Sequence, residues 1–274
     1  MSYATLMVYV DADHFPEHRI RLAAGLADRF TVTLIGLSAL AIRPAFVAEG
    51  VVIVDSVTEL DINEMTAKLA DTENRFRGVA GAEQCKLEWQ SMLDFPIDAL
   101  TREARSADLI VIGQSGGFGD LYRSLDSGRA VLGMGRPTLI VPDGVTSLRA
   151  DHIVTGWKDT REARRAVQDA LPFFHEATRV TVVEICGTDD KDAARGRVDD
   201  VVRYLTRHRI KCDPRILVHQ ERSSAATLIK FAQDEGADLL VTGAYGHNRL
   251  NEWIFGGITR DLLTTSPICC LLSH

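Results

Sequence analysis

The chain repeats part of its own sequence at a constant offset, and this repeat restricts the possible folds more than any other feature. The segment ADLIVIG at 107–113 recurs as ADLLVTG at 237–243, which is 130 residues later. The same offset carries Pro137 onto Pro267, and each of these prolines opens a short apolar run. A fixed offset over this distance indicates two copies of one structural unit.

The repeat divides the 274 residues into two domains. We predict an N-terminal domain over 1–145 and a C-terminal domain over 150–274. The stretch at 141–151 contains the Pro, Gly, Asp and Ser residues that are typical of a connector. Each copy is long enough to bury a core without disulfide bonds.

Composition excludes several classes of partner. The formal net charge is −7 and there is no run of Lys and Arg, so we expect no nucleic-acid partner. No window reaches the roughly 18 apolar residues of a membrane span, and the first residues do not have the pattern of a signal peptide. Five cysteines without a C-x-x-C motif favour reduced thiols in the cytoplasm.

The second half gives the clearest secondary-structure pattern. Strands at 152–157, 179–185 and 215–219 alternate with segments whose apolar residues follow helical spacing. One apolar stripe runs from Ala163 to Phe174 and predicts a single helix, with these members: Ala163, Ala166, Val167, Ala170, Leu171 and Phe174. Asp159, followed three residues later by Glu162, is the expected N-cap of this helix. Strands that alternate with helices predict a parallel sheet with helices on both faces.

The first half follows the same order with a longer middle. A helix is predicted at 16–30, a strand at 86–92 and a further helix at 96–106. Residues 41–85 are longer than their counterpart, and we expect an extended segment, VVIVDS, and an elongated helix that ends near Cys85.

Ligands of doubly wound sheets bind at the carboxyl ends of strands, so the loops after the first and fourth strands are the candidate site. After the fourth strand of the second half the sequence is GAYGHNRLNEWIFGGITRDLL. Gly243 and Gly246 allow a tight turn with close backbone approach. Gly256 and Gly257 then open a helix whose free N–H groups suit a phosphate.

This segment resembles the universal stress protein family, whose motif is G-x2-G-x9-G-[S/T]. Gly243, Gly246 and Gly256 match its spacing, and the resemblance covers both halves. It implies two tandem Rossmann-like α/β domains of the adenine nucleotide alpha hydrolase-like type. Each would contain a five-stranded parallel sheet of order 3-2-1-4-5, and the two would pair as a pseudo-dimer. The resemblance also implies ATP, with Mg²⁺ where needed, held by this loop and by an acidic residue after the first strand.

The second copy departs from the family pattern at two positions. Gly257 stands where a hydroxyl residue is usual, and Lys158 stands where the acidic residue is expected. An ammonium cannot accept hydrogen bonds from ribose hydroxyls as a carboxylate does. Lys158 and the loop residues His247 and Arg249 lie around one glycine loop, so we expect a bound anion there.

The first copy departs in the complementary way. It keeps Asp11, Gly113 and Gly116, but Asp126 replaces the third glycine and is followed by Ser127. A carboxylate at a phosphate position is repulsive. The basic residues of this loop are Arg123 and Arg129, which could contact an anion or remain solvated. We therefore predict ATP or a related adenine nucleotide in the C-terminal domain and only a doubtful site in the N-terminal domain.

Two other chemistries are weighed against this interpretation. The run from Gly113 to Gly117 matches the G-x-S-x-G nucleophile elbow of α/β-hydrolases, with Ser115 as the nucleophile. The following residues are loop-like, however, and Tyr245 stands at the serine position of the other copy. His14 and His18 have the spacing of metal ligands on a helix, but without a third partner we predict no metal site.

The predicted function is that of a non-catalytic stress-response regulator that binds a nucleotide. The alternative is a nucleotide-free, dimeric interaction protein whose sites have decayed. The family resemblance makes the final strand of each domain, PTLIVP and PICCLLS, the expected pairing edge, and we predict a homodimer through such a strand. No particular protein partner can be predicted.

Overall fold

The computed structural model describes residues 2–41, 46–48, 51–53, 59–114, 122–218, 224–245 and 257–274. The first half contains these elements: β1 (Thr5–Tyr9), α1 (Glu17–Phe30), β2 (Thr33–Ala39), β3 (Phe46–Ala48), β4 (Val51–Ile53), α2 (Glu59–Ala80), β5 (Leu87–Met92), α3 (Pro96–Glu103), β6 (Leu109–Gly113), α4 (Ser127–Gly133) and β7 (Thr138–Val141). The second half contains β8 (His152–Trp157), α5 (Arg161–Asp169), α6 (Leu171–Glu176), β9 (Arg179–Cys186), α7 (Lys191–Arg207), β10 (Asp213–Val218), α8 (Ser224–Asp234), β11 (Leu239–Gly243), α9 (Gly257–Thr265) and β12 (Cys269–Ser273).

Ten of these strands form one continuous sheet. Its order is β10-β9-β8-β11-β12-β7-β6-β1-β2-β5, and β3 pairs with β4 in a separate hairpin. Within each half the pairing is parallel, and the order is 3-2-1-4-5. The predicted fold class is therefore confirmed in both halves.

The two halves meet through their last strands. β12 runs antiparallel to β7, with Leu271 opposite Leu139 and Cys270 opposite Ile140. This contact is the predicted pseudo-dimer, formed within one chain. Both final strands have a neighbour on each side within this chain, so the edge expected for the predicted homodimer is already paired internally.

The inner strands are buried on both faces because helices cover both sides of the sheet, whereas the edge strands β5 and β10 are partly exposed. One face packs against α1, α2, α5, α6 and α7, and its core runs without interruption from the first half into the second. The opposite face packs against α3, α4, α8 and α9. Both cores are built from the Val, Ile, Leu and Ala residues of the strands and from one apolar side of each helix.

Three local predictions are corrected. The stripe from Ala163 to Phe174 forms two helices, α5 and α6, because Pro172 lacks a backbone N–H and lies in the first turn of the second helix. The N-cap of α5 is Thr160 rather than Asp159: its hydroxyl accepts a hydrogen bond from the backbone N–H of Ala163 at 3.2 Å. The long helix α2 ends at Ala80, before Cys85.

None of the described helices is long and apolar enough to cross a membrane.

Candidate functional site

The sheet register identifies equivalent positions at the carboxyl ends of the first strands. Leu6 of β1 lies opposite Leu109 of β6, and Ile153 of β8 lies opposite Leu239 of β11. Because the two fourth strands are related by the sequence repeat, Leu6 and Ile153 are equivalent. Asp11 lies five residues after Leu6, and Lys158 lies five residues after Ile153. Asp11 of the first half and Lys158 of the second are therefore equivalent.

The C-terminal domain has an open cleft at this edge, with a volume of about 480 Å³. It lies beyond the carboxyl ends of β8 and β9. Its lining includes the exposed side chains of Lys158 and Asp159 together with Glu184 and Arg197. The cleft is therefore polar and contains charges of both signs.

An ion pair between the buried Glu184 and the partly exposed Arg197 lines the cleft. Glu184 Oε1 accepts hydrogen bonds from Arg197 Nε at 2.9 Å and from Arg197 Nη2 at 2.5 Å. Arg197 Nη2 also donates to Asp190 Oδ2 at 2.6 Å. The hydrogen bonds that Arg197 donates, to Glu184 in the first place and then to Asp190, hold its pKa above the ordinary value. Within the described residues, the second carboxylate oxygen, Glu184 Oε2, is buried and has no hydrogen-bond partner.

Gly243 ends β11 where the first turn of α5 crosses it. A Cβ atom at Gly243 would lie 2.5 Å from the backbone nitrogen of Ala163 and 2.6 Å from the carbonyl carbon of Glu162. The first motif glycine is thus required for packing, whatever it does for a ligand. Tyr245, two residues on, has a φ of 59° and donates its backbone N–H to Thr259 Oγ1 at 3.3 Å.

Helix α9 begins at the predicted residue Gly257, and its first turn lies beside the end of β11 through the contact between Tyr245 and Thr259. The other predicted residues of this loop, Gly246, His247, Arg249 and Gly256, lie outside the described residues.

In the N-terminal domain the predicted phosphate position is filled by the protein. Asp126 is the N-cap of α4, and its carboxylate accepts a hydrogen bond from the backbone N–H of Arg129 at 3.0 Å. The hydroxyl of Ser127 donates to the carbonyl oxygen of Gly113 at 2.8 Å. Asp11 Oδ1 accepts from the backbone N–H groups of Asp13 and His14, both at 2.8 Å. The side chains predicted to meet a ligand are therefore used for local capping. Gly116 lies outside the described residues.

Helix α2 covers the same edge of the N-terminal domain. Met65 and Leu69 pack in a small buried cluster with Ala12, after β1, and Leu40, after β2. Next to this cluster, Lys68 forms an ion pair with Asp13. Helix α2 has 22 residues, whereas its counterpart α7 has 17. At about 1.5 Å per residue, α2 is about 7.5 Å longer than α7, and the corresponding edge beside α7 is the open cleft.

Arg19, on the first turn of α1, is a site residue that the sequence analysis missed. Its Nη1 donates to the carbonyl oxygen of Tyr9 at 3.3 Å, and its guanidinium lies against Gly113, where a Cβ would be 2.1 Å from Nη2. Burial lowers the pKa of Arg19 to about 10, although the charges of Asp11 and Asp143 oppose this shift. Glu162 occupies the corresponding place beside Gly243.

The weaker chemical alternatives gain no support. Ser115 lies outside the described residues, and the side chain of its neighbour Gln114 donates to the carbonyl oxygen of Ser266 at 2.6 Å. His14 Nδ1 is 3.9 Å from Asp11, and His18 Nε2 is 3.8 Å from Asp143. Across the part of the chain that the structure describes, no three His, Cys, Asp or Glu side chains could hold a metal ion.

The fold and this edge define a class: two Rossmann-like α/β units with their ligand edges at the carboxyl ends of the strands. Residues 149–274 match the Universal stress protein family. This match covers the C-terminal half of the chain and agrees with the family resemblance stated from the sequence.

Individual relatives agree with this assignment. Universal stress protein Slr1230 of Synechocystis sp. is 22% identical over 222 residues, which are 77% of this chain and 73% of that protein. Among solved structures, a universal stress protein from Archaeoglobus fulgidus has a TM-score of 0.77 at 14% identity, over 100% of this chain and 96% of that one. A putative universal stress protein from Pseudomonas aeruginosa has a TM-score of 0.64 at 13% identity, over 99% of this chain and 93% of that one. At these identities the structures show a shared fold along the whole chain.

Proposed function

We propose that the C-terminal domain binds ATP or a related adenine nucleotide and that the chain is a cytoplasmic, non-catalytic stress-response regulator. The observation that carries this proposal is the difference between the two halves. The carboxyl edge of β8 and β9 is an open cleft, whereas α2 covers the same edge of the N-terminal domain. One half therefore has space for a nucleotide, and the other has filled it.

The charges around the open cleft suit a nucleotide with its phosphates toward Lys158. The side chain of Lys158 is exposed in the lining of the cleft, and its ammonium favours an anion nearby. Helix α9 begins at Gly257 on the same edge, and its first N–H groups favour phosphate oxygens. The sequence motif of Gly243, Gly246 and Gly256 supports the same orientation.

The N-terminal domain would act as a fixed pairing partner. Its Asp126 carboxylate already occupies the N-terminus of α4, so a phosphate there would meet a like charge. This filled site is the observation that favours the alternative function, an interaction protein, for the first half of the chain.

The proposal is tested on the purified full-length chain. Denaturation followed by chromatography and mass spectrometry should release an adenine nucleotide, and calorimetric titration with ATP, with and without Mg²⁺, should give saturable binding with one site per chain. No phosphate release above that of buffer is expected. If no nucleotide is retained and millimolar ATP changes neither heat nor melting temperature, the nucleotide proposal fails and the interaction function replaces it.

A charge reversal locates the binding half. Lys158→Glu should weaken ATP binding about tenfold, because it replaces attraction of the phosphates by repulsion. The matched control is Asp11→Asn at the equivalent position of the covered half, which keeps the local turn and should leave ATP affinity unchanged. Gly246→Glu should also weaken binding without unfolding the chain. If Asp11→Asn weakened ATP binding as much as Lys158→Glu does, the nucleotide would not be bound by the C-terminal domain alone, and the proposal would be contradicted.

A further inference from the structure

Glu184 interrupts the apolar run of β9 at the edge where the cleft begins. The strand sequence is RVTVVEIC, and the Glu184 side chain is only 6% exposed. Its register partner on β8 is Trp157, so Glu184 lies beside the residue that precedes Lys158. The carboxylate therefore stands at the end of the second strand, one strand away from the position where the family resemblance expects an acidic residue.

The hydrogen bonding of this carboxylate is incomplete. Arg197 donates two hydrogen bonds to Oε1, and no described residue donates to Oε2. Buried polar atoms are nearly always paired, and leaving one unpaired is destabilising. A carboxylate oxygen accepts hydrogen bonds only, so the missing partner must be a donor or a cation.

We infer that Glu184 Oε2 accepts a hydrogen bond from a ribose hydroxyl of the bound nucleotide and so selects ribonucleotides over deoxyribonucleotides. This inference rests on the proposed function. An acidic residue at the end of the second strand is a known geometry for ribose recognition in doubly wound sheets. Lys158 cannot supply that acceptor, whereas Glu184 lines the same cleft. The exposed side chains of Lys158 and Asp159 are the groups that would move to admit the sugar.

The N-terminal domain does not have this carboxylate. Continuing the register of β1 and β2 places Ser38 at the equivalent position, and Ser38 is fully buried. The acidic group thus occurs only in the half whose cleft is open.

The experiment compares ATP, 2′-deoxy-ATP and 3′-deoxy-ATP by calorimetry on the full-length chain. The wild type should bind at least one deoxy analogue about tenfold more weakly than ATP, because a buried carboxylate oxygen is then left unpaired. Glu184→Met removes the acceptor at similar volume, leaves Arg197 paired with Asp190, and should bind all three nucleotides equally. The matched control, Asp190→Asn, alters the other partner of Arg197 and should keep the preference for ATP.

Each other outcome overturns the inference. Equal binding of all three nucleotides by the wild type refutes it while leaving the proposed function intact. A ribose preference that survives Glu184→Met in a folded variant refutes it as well. If that variant does not fold, as judged by its melting temperature, Glu184→Gln should reduce the preference to about two- to threefold, and an unchanged preference refutes the inference. If no nucleotide binds, both the inference and the proposed function fail.

Discussion

Gly113 and Gly243, which end β6 and β11, both lie against the first turn of a helix. Their neighbours differ in kind: Gly243 faces the backbone of α5, whereas Gly113 faces the guanidinium of Arg19. The motif glycines therefore have a packing role that does not depend on a ligand. Their presence in both halves follows from the shared fold, although only one half has an open cleft.

The two glycines should respond differently to the same substitution. Gly243→Ala should destabilise the protein by about 1–3 kcal/mol, because backbone atoms 2.5 and 2.6 Å from the new Cβ cannot withdraw without moving α5. Gly113→Ala should cost less than about 1 kcal/mol, since a flexible arginine head can move aside. Urea unfolding curves of the two variants measure the difference. Equal losses of stability would show that Arg19 is held as firmly as a backbone segment.

The ion pair between Asp13 and Lys68 should make stability depend on pH. Burial opposes ionisation of Asp13, but the hydrogen bond and charge of Lys68 outweigh it and hold the pKa below its ordinary value. A lowered folded-state pKa stabilises the fold above the unfolded pKa of about 3.9, and this contribution is lost as pH falls through the lowered value.

Lys68→Met tests this dependence. Both side chains are partly exposed, so the variant should lose only about 0.5 kcal/mol at pH 6. The difference from wild type should shrink as the pH falls below about 3.9, as measured by urea unfolding at pH 6 and at pH 3. A difference that persists unchanged at pH 3 would mean that Lys68 acts through packing rather than through its charge.

At the scale of elements, the periodic segments were predictable and the non-local contacts were not. The strands and helices of the second half follow from local apolar spacing, which is why their order is confirmed. The break between α5 and α6 was missed because the apolar stripe continues through Pro172, which fits the first turn of a helix. The cover that α2 provides was missed because its partners, Ala12 and Leu40, lie far away in sequence.

Some site residues could have been found from a local signal. Glu184 was detectable in principle, because an acidic residue inside an apolar strand must be paired or functional. Arg19 gave no such signal: a basic residue in the first turn of an amphipathic helix is ordinary, and only the fold brings it to Gly113. The sequence predicts that the carboxylate of Asp126 repels a phosphate. It does not predict that the same carboxylate is the hydrogen-bonded N-cap of α4.

Truncation of one buried side chain of α2 should loosen the cover of the N-terminal domain. Leu69→Ala should destabilise the protein by about 2–4 kcal/mol, because Leu69 is 4% exposed in the cluster with Ala12 and Leu40. Hydrogen exchange should accelerate in α2 and in the loop after β1. Ile62→Ala, on the exposed side of the same helix, should change stability by less than about 0.5 kcal/mol. Unchanged exchange after β1 would show that α2 does not hold that loop.

At the scale of the whole molecule, the halves are joined by more than the pairing of β7 with β12. The rings of Tyr3 and Phe30, from the first half, pack edge-on against Phe173 of α6 at centroid distances of 5.8 and 5.2 Å. Arg29 adds an ion pair with Glu176 at 3.0 Å. The sheet and one core layer are continuous across this contact between the domains. The two domains should therefore unfold in one cooperative transition.

Removal of the aromatic ring of Phe173, at the contact between the two domains, should therefore destabilise both halves. Phe173 is fully buried, and Phe173→Ala should cost about 3–5 kcal/mol of unfolding free energy. Hydrogen exchange should accelerate in α1 as well as in α6, since the lost contacts belong to both domains. Val201→Ala, on the buried side of α7, should accelerate exchange only in the second half. If Phe173→Ala left α1 as protected as in the wild type, the two domains would share a sheet edge but not a common folding unit.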